Sequence, residues 1–392
     1  MKESLARRTH RFPKILFVTT GLDQGGAERQ LDNLVRYGRE AWETAVFSIR
    51  PFGVMAEALK NSGASLFTGE ASSPLSLGWL PTLRKVIRRT TPDLVVGWMY
   101  HGNLGASFSR MLGYDGRVVW NIRHSVQCLS LEKWGTRAVI RLGARLSESA
   151  SRIIYNSATA AAQHERLGYG EQGRIVLPNG FDVHRFAPNE SLRRKLRDSM
   201  RIAESDLLLG VVGRSHPMKN HVGWVRAFAK IADGNGAVHC LMMGVGVDDP
   251  CGPVAQEVKK AGLSNRVHLI PATNSPENIY PALDLLVLPS SFGEGISNVV
   301  GESMACGVPA AVTDVGDSPI LVGDTGFVME GTQAQDLAAG VGRSIRLGHE
   351  VLADLGRRAR KRVIDHYSLE AIGKEYYAVL FETLGHEKSS TK

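Results

Sequence analysis

The chain has 392 residues, beyond the roughly 250–300 at which a single hydrophobic core stops growing, so two domains are expected. Apolar residues make up 43% and glycine fills 42 positions, a globular composition rich in tight turns; no run nears the ~18 apolar residues that would span a bilayer. The formal charge of +8 favours an anionic partner (a nucleotide, a phospholipid surface or nucleic acid) without choosing among them. Cys128, Cys240, Cys251 and Cys306 lie far apart with no CxxC pair, which excludes a zinc pattern and a dense disulfide framework. They read as small buried residues of a reducing compartment. The opening "MKESLARRTHRFPK" carries basic residues with no apolar segment or cleavage site behind them, so a cytoplasmic location is expected.

In chain order, "KILFVTT" (14–20), "TAVFSI" (44–49), "DLVVGWM" (93–99), "RVVWNI" (117–122), "RIIYNS" (152–157) and "RIVLPN" (174–179) read as buried strands. Between several of them run segments with 3.6-residue apolar spacing, such as "GAERQLDNLVRYGR". This alternation predicts parallel strands joined by crossover helices in a doubly wound α/β sheet. "NGFDVHRFAPNESLRRKLRDSM" (179–200) is polar and charged and reads as an inter-domain crossing. A second series follows: "LLLGVVG" (207–213), "VHCLMMG" (238–244), "RVHLIP" (266–271), "DLLVLPS" (284–290) and "PAAVTDV" (309–315). The terminal "SSTK" is expected to be disordered. Ligands of open parallel sheets bind beyond the carboxyl ends of the strands, so a cleft between two such sheets is the expected site.

The densest chemistry lies in "PSSFGEGISNVVGESMACGVPAAVTD" (289–314). A strand ends at Pro289–Ser290, a glycine-rich loop carries Glu294, and a helix is expected from Ser297 or Asn298 to a stop at Gly307. Glu302 falls inside that helix. Its amino end suits a phosphate, and two acceptor-only carboxylates beside it suit hydroxyls. One would take a ribose and the other a transferred sugar. In "VVGRSHPMKNH" (211–221), Arg214 and Lys219 follow a buried strand. Cations there would stabilise charge developing on a departing diphosphate, at about 1.5–3 kcal/mol per charged hydrogen bond. In "FVTTGLDQGGAERQL" (17–31), Gly25 and Gly26 permit close approach of backbone to a ligand, although the spacing is neither a dinucleotide fingerprint nor a P-loop. His124 follows the strand in "VVWNIRHS" (118–125) and points toward the same cleft.

"GGAERQL", the Arg214–Lys219 pair and above all "FGEGISNVVGESMACGVPAAVTD" resemble the retaining GT-B glycosyltransferases of family GT4, over most of the chain. The resemblance implies two Rossmann-like domains facing across a cleft, 1–187 on the acceptor side and 188–366 holding the nucleotide sugar. A C-terminal helix, 367–392, would return to the first. It implies that Arg214 and Lys219 bind the pyrophosphate, that Glu294 contacts the donor sugar with Gly295, Ile296, Ser297 and Asn298 alongside, and that Glu302 holds the ribose. Gly25 and Gly26 would lie near the phosphates or acceptor, and His124 near the reacting sugar. Where many relatives have Lys-Gly, this chain has Lys219–Asn220–His221, so local phosphate contacts are expected to differ.

No metal and no cofactor beyond the nucleotide sugar are implied. No D-x-D is present, and Asp248–Asp249 read as a solvated turn. Retention needs no protein nucleophile, since the leaving phosphate can take the acceptor proton; no nucleophile–base couple is evident in the sequence. UDP is the first expectation for the donor and GDP the second, with a glycan or lipid-linked acceptor. A nucleotide-sugar epimerase of the same architecture and a non-catalytic subunit of a glycan assembly complex are the alternatives.

"LPTLRKVIRRT" (80–90) and "EKWGTRAVIRLGARLSE" (132–148) are basic and amphipathic. In the second, Arg137, Arg141 and Arg145 recur every four residues, with Trp134, Val139, Ile140 and Leu142 as apolar contacts. They suggest peripheral association with an anionic membrane. "RRARKR" (357–362) lacks interleaved aromatics and reads as a solvated helix face, so no nucleic-acid partner is expected.

Overall fold

The computed structural model describes residues 12–385 apart from Gln24 and Asn235, and leaves the Leu131 side chain undescribed. The start of the basic N-terminal stretch and the "SSTK" tail lie outside the described residues. The chain divides into two compact units, one running to Pro178 and resuming at Ile372, the other spanning Asn179–Ala371.

In the first unit seven strands form one sheet: β1 (Lys14–Thr19), β2 (Glu43–Ser48), β3 (Ser65–Thr68), β4 (Leu94–Trp98), β5 (Arg117–Ile122), β6 (Arg152–Tyr155) and β7 (Arg174–Val176). Their order is β3-β2-β1-β4-β5-β6-β7, all parallel. The strands read as unbroken apolar runs because both faces are covered. Along β1, Ile15 and Phe17 enter one core cluster, whereas Leu16 and Val18 enter the other. The final helix, Leu369–Leu384, buries Ile372, Tyr376 and Leu380 in the cluster of Ile15 and Phe17.

The second unit repeats the plan with β8 (Leu207–Val212), β9 (Val238–Met243), β10 (Val267–Ile270), β11 (Leu285–Leu288), β12 (Ala310–Thr313) and β13 (Phe327–Met329). The order is β10-β9-β8-β11-β12-β13, again parallel. Leu207, Leu209 and Val211 face one cluster and Leu208 the other. Sequence reading missed β3 and β13. Both are short edge strands in which only Met329 is buried, so the apolar run that marks a central strand is absent.

The second unit begins ahead of the 187/188 boundary expected from the sequence. Phe181, Val183 and Phe186 belong to its core, and Phe181 pairs with the far end of the unit, its amide donating to Tyr367 O at 2.8 Å. The segment 179–200 is therefore no open crossing. From Glu190 to Ser199 it is a helix, capped by Asn189, whose Oδ1 accepts from the Leu192 amide at 3.0 Å. Arg197 on this helix is fully buried; it donates to Asp284 Oδ2 at 3.1 Å and to the Ala203 carbonyl at 2.7 Å. Arg193 adds a bond to Asp284 Oδ1 at 2.8 Å. Burial pushes the Asp284 carboxyl up, but His349, Arg193, the Leu208 amide and Arg197 outweigh it and hold it below the usual carboxylate range.

Removing one member of a buried pair strands its partner's charge. Arg197→Leu is expected to cost about 3–5 kcal/mol in urea unfolding. Arg343→Ala, which loses only an exposed pair with Glu330, should cost about 1 kcal/mol or less. A carboxyl with a lowered pKa stabilises above the ordinary carboxylate range and loses that contribution as pH falls through the lowered value. The gap between wild type and Arg197→Leu should accordingly narrow in acid.

Candidate functional site

In the second sheet the chain runs outward from β8 through β9 to β10, then returns to the other side of β8 with β11. The strand order reverses there, and loops leaving two adjacent strands in opposite directions open a crevice at their carboxyl ends. The loop after β8 carries Arg214 and Lys219, and the loop after β11 carries Glu294. The two loops are stitched together, the Ser291 amide donating to Met218 O at 2.8 Å.

Lys219 Nζ lies 2.5 Å from Glu294 Oε1, and Ser290 Oγ donates to the same oxygen at 2.6 Å. Both charged side chains are largely shielded, with 16% and 8% of their side-chain surface exposed. Oε2 of Glu294 has no protein partner among the described residues. Two donors thus fix the carboxylate in a buried loop while one oxygen remains free to accept.

Arg214 is exposed and has no ion-pair partner among the described residues. Its loop is tied to the one after β9: the Ser215 amide donates to Val245 O at 2.8 Å. A Cβ on Gly244 would sit 2.0 Å from Gly213 O, so only glycine permits that approach. Burial, then Arg214 and Lys219, hold His216 below the usual histidine range. Burial, then Lys219, brings His221 down to about 4. Both imidazoles are therefore neutral near pH 7, and the local positive charge belongs to Arg214 and Lys219.

The Lys-Asn-His departure has a backbone cause. Asn220 adopts left-handed angles (φ 53°, ψ 36°) at the start of the helix His221–Ala232. Glycine enters that region freely, and asparagine is among the few other residues enriched there. Asn220 Nδ2 also donates to Thr332 O at 2.9 Å.

After β11, Gly293 takes φ 76° and the chain enters the helix Asn298–Ala305, with Gly307 at φ 78° beyond it. Ser297 precedes this helix without capping it through its side chain. Glu294, Ile296, Ser297 and Glu302 are all buried, and Asn298 Oδ1 accepts from Asn179 Nδ2 at 2.6 Å. Gly316 braces the loop from behind. It has φ 65°, and a Cβ there would meet Glu294 O at 2.2 Å and Gly295 O at 2.6 Å. Glu302 accepts from Tyr280 Oη at 2.8 Å through Oε2. Sequence reasoning missed Ser290, Gly316 and Tyr280. Ser290 lay in plain view at the strand end, but Tyr280 and Gly316 come from separate loops with no signal linking them to the site.

The first unit has its own reversal, between β1 and β4. Gly25, in extended conformation, precedes the helix Gly26–Gly38. Trp98 Nε1 pins the start of that helix by donating to Ala27 O at 2.9 Å. His124 leaves β5, stands edge-on to Tyr100 with ring centres 6.0 Å apart, and has Nε2 2.8 Å from Glu132 Oε1. The hydrogen bond from His124 holds the Glu132 carboxyl below its usual range, against its burial. Sequence reading missed Glu132, eight positions away across an irregular loop. Gly25, Gly26 and His124 thus belong to this unit, and the other expected site residues to the second.

The basic helices are Leu80–Thr90 and Trp134–Leu146. Val139 and Ile140 are core residues and offer no surface contact. Trp134 is 73% exposed and Leu142 is exposed; Leu75 and Leu77, 46% and 59% exposed, were not anticipated. The run 357–362 is no uniformly solvated face. Arg360 donates to the Phe186, Ala305 and Val183 carbonyls, and Arg362 to those of Leu321 and Ile320. All four cysteines are free, but Cys128 and Cys251 are exposed rather than buried. Among the described residues no three His, Cys, Asp or Glu side chains gather as a metal-holding set, and no helix is long and apolar enough to cross a membrane.

Residues 24–185 match the family described as Glycosyltransferase Family 4, and residues 206–346 that described as Glycosyl transferases group 1. EpsF of Bacillus subtilis (strain 168) is 25% identical over 317 residues, 77% of this chain and 79% of that protein. The D-inositol 3-phosphate glycosyltransferase of Actinosynnema mirum is 29% identical over 206 residues, 50% of this chain and 49% of that protein. The crystal structure of Anabaena HepE in complex with UDP has a TM-score of 0.81 at 21% identity, covering 94% of this chain and 100% of that one, and the same protein has been solved with UDP-glucose. Similarity of this kind runs through both units: the chain is a glycosyltransferase of family 4, glycosyl transferases group 1, with the GT-B fold.

Proposed function

We propose that the protein moves a hexose-type sugar, with retention of anomeric configuration, from a nucleotide donor to a glycan or lipid-linked acceptor in surface polysaccharide or glycoconjugate synthesis. The observation that carries this reading is the Lys219–Glu294–Ser290 contact at the switch point of the second sheet. It gathers a cation for a diphosphate and a fixed carboxylate for sugar hydroxyls within one crevice. A UDP-sugar is the favoured donor, since HepE of the same fold is bound to UDP and UDP-glucose; a GDP-sugar comes next.

In this reading Arg214 and Lys219 stabilise the charge that develops on the pyrophosphate as the glycosidic bond breaks. The amino end of the helix Asn298–Ala305 supports the phosphates, flanked by Gly295, Ile296, Ser297 and Asn298. The free Oε2 of Glu294 accepts from the sugar, and Glu302, oriented by Tyr280, accepts from the ribose. For Gly25, Gly26 and His124 we adopt the roles the family resemblance implies: phosphates or acceptor for the glycines, the reacting sugar for the histidine. The acceptor hydroxyl attacks the face the diphosphate leaves and passes its proton to that phosphate. No metal takes part, so transfer should persist in excess chelator.

Calorimetric titration with UDP, GDP and ADP should show UDP binding most tightly. Lys219→Ala and Arg214→Ala should each lower kcat/KM about tenfold to a hundredfold, the loss of one charged hydrogen bond. The thermal midpoint should change little in Arg214→Ala, whereas Lys219→Ala, which strands the buried Glu294 carboxylate, should lower it as well. Normal rates in both variants would discard the clamp.

The acceptor side also implies a location, the cytoplasm at the inner face of the membrane. A Cβ on Gly135 would lie 3.3 Å from Leu75 Cδ1, which places the exposed Leu75–Leu77 turn beside Trp134. Exposed Arg141 and Arg145 follow on the same helix. Apolar side chains ringed by cations suit an anionic bilayer. A small phosphorylated polyol is the second reading of the acceptor, favoured by the inositol phosphate in the name of the Actinosynnema relative. Flotation with anionic vesicles separates the two. Binding at low salt, release at high salt and weakening by Trp134→Ala with Leu75→Ala are expected of the membrane reading. No flotation at low salt would remove it.

A further inference from the structure

The proposed chemistry gives His124 a place at the reacting sugar but leaves open what state the imidazole is in, and the geometry answers that. Nε2 lies 2.8 Å from Glu132 Oε1, a hydrogen-bonding distance. A carboxylate has no proton to give, so it can only accept. The Glu132 carboxyl is held below its ordinary range chiefly by this bond, so it is ionised at neutral pH. The proton must then reside on Nε2, and in the neutral ring Nδ1 is left as an acceptor. Nδ1 has no protein partner among the described residues, and the His124 side chain keeps 33% of its surface exposed. The other face contacts of the ring are also settled. Tyr100 stands edge-on to His124, and its hydroxyl lies 2.9 Å from His164 Nε2, which occupies it elsewhere. Glu132 precedes the helix Trp134–Leu146, so the orienting carboxylate is delivered by a different element from the histidine it holds.

We propose that Glu132 is a positioning residue for the transfer reaction: it fixes His124 as the Nε2–H tautomer, so that Nδ1 accepts a hydrogen bond from a sugar hydroxyl. This is the role an orienting carboxylate plays toward a catalytic imidazole in other enzymes. Here it acts without any proton transfer; the ring serves as a fixed acceptor. The inference rests on the proposed function for its kinetic consequence, but its structural half stands apart from it.

The test therefore has two arms. Nitrogen-15 NMR of imidazole-labelled full-length protein, assigned with His124→Ala, should show His124 with Nε2 protonated and Nδ1 bare near pH 7. In Glu132→Ala that preference should relax to a mixture of tautomers. Glu132→Gln, which keeps an accepting oxygen in nearly the same shape, should lie between the two and guards against a folding defect in the alanine variant. In the kinetic arm, Glu132→Ala should lower kcat about tenfold or more while the donor KM changes little. The same substitution placed on His124→Ala should cost nothing further, because it acts through the ring. A bare Nε2 in the wild type, an unchanged tautomer in Glu132→Ala, or an equal loss in the His124→Ala background would each overturn the assignment. If no nucleotide sugar is turned over by wild type, the functional proposal fails while the tautomer measurement still decides the role of Glu132.

Discussion

Both sheets are sealed on both faces, and that constraint decides where chemistry can occur. A strand such as β8, with Leu207, Leu209 and Val211 turned to one core cluster and Leu208 to the other, has no position along its length for a solvated polar side chain. Polar groups are forced to the loops at the strand ends. Among those ends, the order reversal between β8 and β11 is where adjacent loops part rather than cover one another. Lys219 and Glu294 occupy that gap because the topology leaves it open, and their contact follows from the strand order as much as from their charges.

The contact itself is a balance. Glu294 alone in a buried loop would carry an uncompensated charge, which costs several kcal/mol in a low-dielectric surrounding. Lys219 and Ser290 offset that cost from one side of the carboxylate. A diphosphate arriving beside Lys219 would compete for the same ammonium, so its attraction is partly spent in advance on Glu294. Arg214 carries no such debt. In the proposed reading it would be the more available cation for first capture, and Lys219 the better placed to tie a phosphate to the carboxylate proposed to hold the sugar. The close backbone approaches at Gly244 and Gly316 serve this arrangement, since each brings a loop to within reach of the next.

What could be read from the residues follows the same physics. Central strands were visible because two-sided burial writes continuous apolar runs. The helix from Asn298 was visible because Ser297 and Gly307 mark its ends. Edge strands β3 and β13 were not, since four and three residues with a single buried side chain among them carry too short a run. The helix Glu190–Ser199 was read as a polar crossing for a related reason: its buried contact is Arg197, held by Asp284 and by carbonyls, and a charged residue gives no apolar period. Lys219 and Glu294 could each be named in advance, but their meeting could not, because it joins positions 75 residues apart. Glu132 had no motif at all. Only the path of the loop after β5 brings it to His124.

The net charge needs the same discrimination. Sequence counts +8, and that figure treats every cation as part of one external field. Arg197 is buried against Asp284, and Arg360 and Arg362 are engaged by main-chain carbonyls. These side chains hold the second unit together and project little potential outward. Other cations stand in local groups, among them Arg214 with Lys219 at the switch point and the exposed arginines of the helices Leu80–Thr90 and Trp134–Leu146. Since a field is screened beyond about 8–10 Å at ordinary salt, what a partner meets is one of these local clusters and never the average. Under the proposed function an anion drawn to the first would meet the carboxylates Glu294 and Glu302, and one drawn to the second would meet exposed Trp134 and Leu142, so the two clusters would select chemically different partners from the same excess of positive charge.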